Sequence, residues 1–205
     1  MNIEVKNSVK PIEYSKSIQV LEKRVKDVFE GKKKELIWIL EHKDVYTAGT
    51  NFREQEILDK KIKITKTNRG GKITYHGPGQ KIVYFVLDLN KREKDIRKLL
   101  NKIENCIVDI LKEYNVYSFA DKKNIGIWVL EKNNTKKIAA IGIRVKKWIA
   151  YHGFALNINA DLKKYDAIVP CGIKDKKVTN LSIISKNKFK NINKVIVRKF
   201  LSTFL

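Results

Sequence analysis

The chain has 205 residues, 43% of them apolar, with 44 basic against 22 acidic side chains and a formal net charge of +22. That is enough for one domain, residues 1–205, with a buried core, while no apolar run nears the roughly 18 residues of a membrane span. The N-terminus carries no apolar signal segment and the two cysteines make no disulfide framework, so a cytoplasmic protein is expected.

The first predicted element is an amphipathic helix over residues 11–30. Tyr14, Ile18, Leu21, Val25, Val28 and Phe29 recur at helical spacing, Pro11 suits the first turn and Gly31 the stop. Residues 36–40 are a short apolar run and read as a buried strand, continued by sheet or loop over 44–49. Residues 62–68 alternate polar with apolar, and 81–89 make the next strand. Residues 95–114 give the clearest helix: Ile96, Leu99, Leu100, Ile103, Ile107, Ile110, Leu111 and Tyr114 form one broad stripe. Strands are then expected over 125–130, 137–145 and 148–158, with a turn at 131–135. A helical turn at 161–165, a strand or helix start at 178–185 and a closing helix over 191–205, with Val195, Phe200, Leu201 and Phe204 facing inward, complete the chain. No linker, repeat or composition break marks a second domain. The pattern predicts an α/β (α+β) fold, a mixed β-sheet flanked by helices.

Between two strands lies the segment 69–80, which holds four of the ten glycines. Glycine this dense lets backbone approach a ligand closely and adopt positive φ. With Arg69, Tyr75 and His76 in it, the loop reads as one that wraps a ligand. The charge excess has two readings, a basic surface for an acidic partner or a residue-usage bias spread over solvated surface. Lysine without arginine–aromatic interleaving is weak evidence for nucleic acid.

Cys171, between Pro170 and Gly172, is a candidate nucleophile, although most free cysteines are small buried hydrophobes. Cys106 sits beside the stripe of the 95–114 helix and reads as structural. The two have no metal-ligand spacing, and His42, His76 and His152 cluster with neither, so no metal is expected. A thiol of free pKa about 8.5 needs a base or cation to ionise near neutrality. His76, His152 and Lys137, at the head of a small-residue strand, are candidates. An ammonium about 4 Å from a thiolate, at an effective dielectric of about 20, contributes roughly 4 kcal/mol, an upper limit of about three pKa units. No Walker-type loop and no Gly-x-Gly-x-x-Gly opens a helix, so a phosphate cradle is lacking.

Four blocks in order, residues 69–80, 137–144, 151–157 and 168–173, resemble the octanoyltransferase family of lipoate biosynthesis. Residues 40–49 look like that family's early strand block, with Lys43 where a proline is common. The resemblance implies the fold of biotin and lipoate protein ligases. It implies transfer of an octanoyl group from octanoyl-acyl carrier protein, through a thioester on Cys171, to a lysine of a lipoyl domain, the first step of protein lipoylation. Acceptors would be lipoyl domains of 2-oxoacid dehydrogenases or the glycine cleavage H protein.

In that scheme Lys137 lowers the thiol pKa and exchanges protons. Arg69, Gly70, Gly71, Lys72, Ile73, Thr74, Tyr75 and His76 line the acyl site, with Ala140, Ile141, Gly142, Gly153, Phe154 and Ala155. Backbone N–H groups around Gly77, Gly142 or Gly172 are candidates for stabilising the tetrahedral oxyanion, and His152 for an auxiliary role. No cofactor, membrane or nucleic acid is implied, and a monomer is expected. An ATP-dependent ligase of the same fold and a basic nucleic-acid-binding protein are the alternatives.

Overall fold

A computed structural model describes residues 2–170, 177–186 and 189–205. Among the described residues, ten strands form two sheets. The larger has seven: β1 (Ile3–Asn7), β2 (Glu35–Leu40), β6 (Gln80–Asp88), β7 (Phe119–Asp121), β8 (Asn124–Glu131), β9 (Asn134–Lys146) and β10 (Ile149–Asn157), in the order β1-β2-β6-β10-β9-β8-β7. The smaller places β3 (Val45–Ala48) between β4 (Ile64–Lys66) and β5 (Ile73–His76). Helices α1 (Tyr14–Phe29), α2 (Ile96–Lys112), α3 (Leu181–Ile184) and α4 (Ile192–Phe204) complete it. The expected mixed sheet flanked by helices is what the chain forms. Among the described residues no helix is long and apolar enough to cross a membrane.

The central strands explain the layering. β2, β6 and β10 are buried on both faces, and their side chains alternate between two cores. Leu36, Trp38, Ile82, Tyr84 and Val86 pack under α1 with Leu21, Val25 and Val28. Ile37, Ile39, Val83, Phe85 and Leu87 pack on the other face with Ile103, Ile107, Ile196 and Phe200 of α2 and α4. Each such fully buried side chain contributes about 1.5–3 kcal/mol. Asp95 caps α2, accepting from the Arg97 and Lys98 amides at 2.8 and 3.0 Å.

Several local expectations shift. Pro11 lies outside α1, because Ile12 is already bridged to His42 and the helix opens at Tyr14. Phe29 and Ile96, expected in apolar stripes, are 48% and 47% exposed. Both sit at helix termini, where the stripe runs past the sheet it covers. β10 begins at Ile149 because Lys147 and Trp148 (φ 52° and 60°) form the two-residue hairpin turn after β9. Lys132 and Asn133 (φ 48° and 64°) do the same between β8 and β9.

Candidate active site

The glycine loop lies along the outer edge of β9. Gly70 N–H donates to the Ile143 carbonyl at 3.2 Å, and Arg144 Nη1 to the Asn68 carbonyl at 2.7 Å. Arg69 is buried and staples the loop to β3: Nη2 reaches the Thr47 carbonyl and Oγ1, both at 2.8 Å, and Nη1 the Gly70 carbonyl at 3.0 Å. Its guanidinium is thus a structural clamp and a fixed positive charge. Between loop and sheet lies a cavity of about 510 Å³. Arg69, Gly70, Gly71, Lys72, Ile73, Thr74 and His76 line it, with Ala140, Ile141, Gly142, Gly153, Phe154 and Ala155.

Tyr75, although in the same loop, does not line that cavity. It alternates to the other face of β5, packs on Tyr165 and donates to Asp44 at 2.8 Å. Gly77 does not line it either; its Cα faces the Tyr75 hydroxyl and Asp44. A Cβ on Gly153 would meet the Val83 carbonyl oxygen at 1.9 Å, so only glycine lets β10 lie this close to β6.

Lys137 is brought to the cavity by an irregularity that the sequence pattern does not show. β8 pairs Ile127 with Ala139 but Trp128 with Lys137, so Ile138 is an extra residue in β9. The bulge changes the phase of the strand. Ile138 and Ala139 both join the core under α2, while Lys137 and Ala140 both line the cavity. The Lys137 stem then crosses Gly126 (φ 130°), where a Cβ would stand 3.1 Å from Cε and 2.7 Å from the Ala139 carbonyl oxygen. Nζ donates to the Ile125 carbonyl at 2.9 Å and lies 4.7 Å from the centre of the Trp128 ring. Ile125, Gly126 and Trp128 are site residues that sequence reasoning missed. A lone glycine inside the strand pattern of β8 was the available signal for a close approach.

The three histidines, separated widely in sequence, meet on the α1 side of the sheet. The rings of His42 and His76 are 5.9 Å apart, and Tyr84 lies 5.7 Å from His42 and 6.3 Å from His152. Burial, reinforced by Arg69 at His76 and His152, holds all three neutral, with pKa values lowered to about 4 for His42 and about 3 for His76 and His152. Their partners fix the tautomers. His42 Nδ1–H donates to the Ile12 carbonyl (2.9 Å) and Nε2 accepts from Tyr84 (2.8 Å). His76 Nδ1–H donates to Gln80 Oε1 (2.6 Å), and His152 Nε2–H to Asn68 Oδ1 (2.8 Å). His152 adopts φ 68° within β10, stacked on Tyr151.

From His76 a buried chain of polar groups runs to Lys137. Gln80 Nε2 donates to Asn157 Oδ1 at 2.7 Å, and Asn157 Nδ2 to the Thr179 carbonyl at 3.1 Å. Thr179 N–H donates to the Lys137 carbonyl at 2.9 Å, and Lys137 N–H to the Lys177 carbonyl at 3.0 Å. Pro170 and Lys137 line a second, small cavity together with Thr74, Ala140 and Asn157. Cys171 and Gly172 lie outside the described residues. Cys106 is fully buried on α2, and burial pushes its thiol up to about 11.

Residues 13–201 match the family described as the lipoyl protein ligase A/B catalytic domain. An octanoyltransferase of Ehrlichia chaffeensis is 42% identical over 196 residues, covering 94% of this chain and 92% of the relative. That of Anaplasma phagocytophilum is 40% identical over 207 residues and the whole of both chains. Among solved structures, a bi-partite lipoate protein ligase from Thermoplasma acidophilum superposes with a TM-score of 0.74 at 14% identity, over 98% of this chain and 84% of the other. Lipoate-protein ligase A bound with ATP gives 0.73 at 15%, over 98% and 85%. At those identities the structures show the fold of lipoate protein ligases.

Proposed function

This chain belongs to the octanoyltransferases of the lipoyl protein ligase A/B catalytic-domain family, and on that premise we propose how it carries its acyl group. The enzyme is an acyltransferase of octanoyl or lipoyl groups. The donor is octanoyl-acyl carrier protein, the carrier on the enzyme is the Cys171 thiol, and the acceptor is a lysine of a lipoyl domain.

One observation carries the reading. Both described flanks of the segment bearing Cys171 converge on Lys137: Pro170 shares a small cavity with it, and Lys177 pairs with its backbone.

In the first half-reaction the Cys171 thiolate attacks the thioester carbonyl carbon, and the carbon–sulfur bond to pantetheine breaks. Lys137, having taken the thiol proton, returns it to the leaving sulfur. In the second, the acceptor amine attacks the new thioester and its bond to Cys171 breaks. Lys137 takes the amine proton and passes it to the released thiolate. Thioester exchange is nearly isoenergetic and amide formation downhill, so no ATP is consumed. The small residues Ala140, Gly142, Gly153 and Ala155 leave room in the cavity for a thin acyl chain, and burying the octanoyl chain contributes several kcal/mol at about 0.8 per CH₂.

Intact-mass spectrometry after mixing with octanoyl-acyl carrier protein should show one octanoyl adduct on the wild type and none on Cys171→Ala. Lys137→Ala should slow turnover by about 10²–10⁴-fold and shift the alkylation profile of the thiol to higher pH. Turnover of free octanoate that needs ATP, with no adduct, would overturn the scheme.

A further inference from the structure

Ile125 and Ile96 are large apolar side chains left 53% and 47% exposed, and both line the cavity. They therefore stand at its rim, one at the start of β8 and one at the first turn of α2. Lys123 and Leu100 complete this stretch of rim. Its surroundings are basic: Lys122 and Lys123 on the β7–β8 turn and Arg97 on α2 are exposed. Three carboxylates lie on the same elements and keep their donors locally. Asp121 accepts from the Lys123 amide and from Asn124, Asp95 caps α2, and Glu93 pairs with Lys98. An apolar centre flanked by the exposed Arg97, Lys122 and Lys123, on a chain of net charge +22, fits an acidic protein surface.

Reach decides which protein that is. The Ile125 carbonyl oxygen is 2.9 Å from Lys137 Nζ. The backbone of this rim thus touches the amine assigned to proton transfer, while its side chain faces solvent. A lysine side chain spans roughly 6 Å from Cα to Nζ at standard bond lengths. The domain that presents it must seat directly beside the reacting carbon. A pantetheine arm is several times longer and sets no such limit.

We infer that this rim is the seat of the acyl acceptor, an acidic folded domain that presents one lysine from an exposed tip. The inference rests on the acyl-transfer reading above and adds the docking surface to it.

The test is the double variant Arg97→Glu/Lys122→Glu, at two exposed positions that do not line the cavity, with octanoyl-acyl carrier protein as donor and an apo lipoyl domain as acceptor. The KM for the lipoyl domain should rise at least tenfold, kcat should stay within twofold, and added salt should narrow the difference. Acyl-enzyme formation, read by intact mass before acceptor is added, should keep its wild-type rate. An unchanged acceptor KM overturns the seat. So does slowed acyl-enzyme formation with a normal acceptor KM, which would give the rim to the donor. A wild type that forms no acyl-enzyme, while the variant still shows the raised acceptor KM, overturns the thioester route and keeps the seat.

Discussion

The two faces of the seven-stranded sheet are made by alternate residues of the same strands, yet they do different work. Under α2 and α4 lie Ile37, Ile39, Val83, Phe85 and Leu87, packed in a large apolar cluster. Under α1 and beside the glycine loop, the intervening positions include Trp38, Tyr84 and Tyr151, joined by His152, whose φ of 68° breaks the alternation, and this side opens into the cavity. One face buries apolar surface and closes, reaching the cavity only at its margin, through Ile96, Leu100, Ile141 and Phe154. The other spends burial on hydrogen-bonded rings and leaves space. A strand period of two lets one segment serve stability and chemistry at once, and substitutions on the two faces should therefore fail in different ways.

Acid should separate the faces most. All three histidines belong to the cavity side and are held neutral, with folded pKa values of about 3–4 against 6.5 for the free side chain. The unfolded chain binds the extra protons first, so stability is full above pH 6.5 and falls as pH drops from there toward 3. By pH 5 each histidine should have cost about 2 kcal/mol. Urea melts between pH 7.5 and 5 measure this, and a midpoint independent of pH would mean the rings are solvated in solution.

Phe85→Ala is the counterpart on the closed face. Its ring is fully buried 5.7 Å from Phe200, and truncation should cost about 3–5 kcal/mol. The transfer rate per folded molecule should hold at temperatures where the variant remains folded. Tyr84→Phe, one residue earlier and on the opposite face, loses only the hydroxyl that His42 accepts from, about 1 kcal/mol. Equal destabilisation by the two would remove the distinction between the faces.

Much of this division was legible in the chain. The apolar run of residues 81–89 reads as a strand and the stripe of 95–114 as the helix that covers it, because local pattern and long-range burial agree there. What was not legible depended on partners. Nothing local says that Ile138 bulges, since that is set by how β8 pairs with β9. That residues 73–76 are a strand at all depends on the pairing of β5 with β3, and only then does alternation turn Tyr75 from the cavity that Thr74 and His76 line. Lys137 was identified by its place in a motif; the carbonyl that holds it, and the glycine it crosses, came only with the fold.

Gly126→Ala probes that support. The added methyl would stand 2.7 Å from the Ala139 carbonyl oxygen and 3.1 Å from Lys137 Cε, at φ 130°. The backbone strain should cost about 1–3 kcal/mol. Activity should fall more than that loss of folded protein explains, because Nζ is displaced from the Ile125 carbonyl. A rate that simply tracks the folded fraction would show that the position of Nζ is not critical.

The smallest effect is expected at Cys106, where the closed face carries a reactive atom and silences it. Its thiol is 1% exposed and pushed up to about 11 by burial, so at pH 8 only about one molecule in a thousand carries the thiolate. Alkylation of the native protein should therefore give one adduct, at Cys171, and denaturation should reveal the second. Cys106→Ala should leave the native count and the transfer rate unchanged and cost about 1 kcal/mol, the loss of one small buried group. Rapid native labelling at Cys106 would mean that α2 opens from the sheet, and that the face described as closed is not.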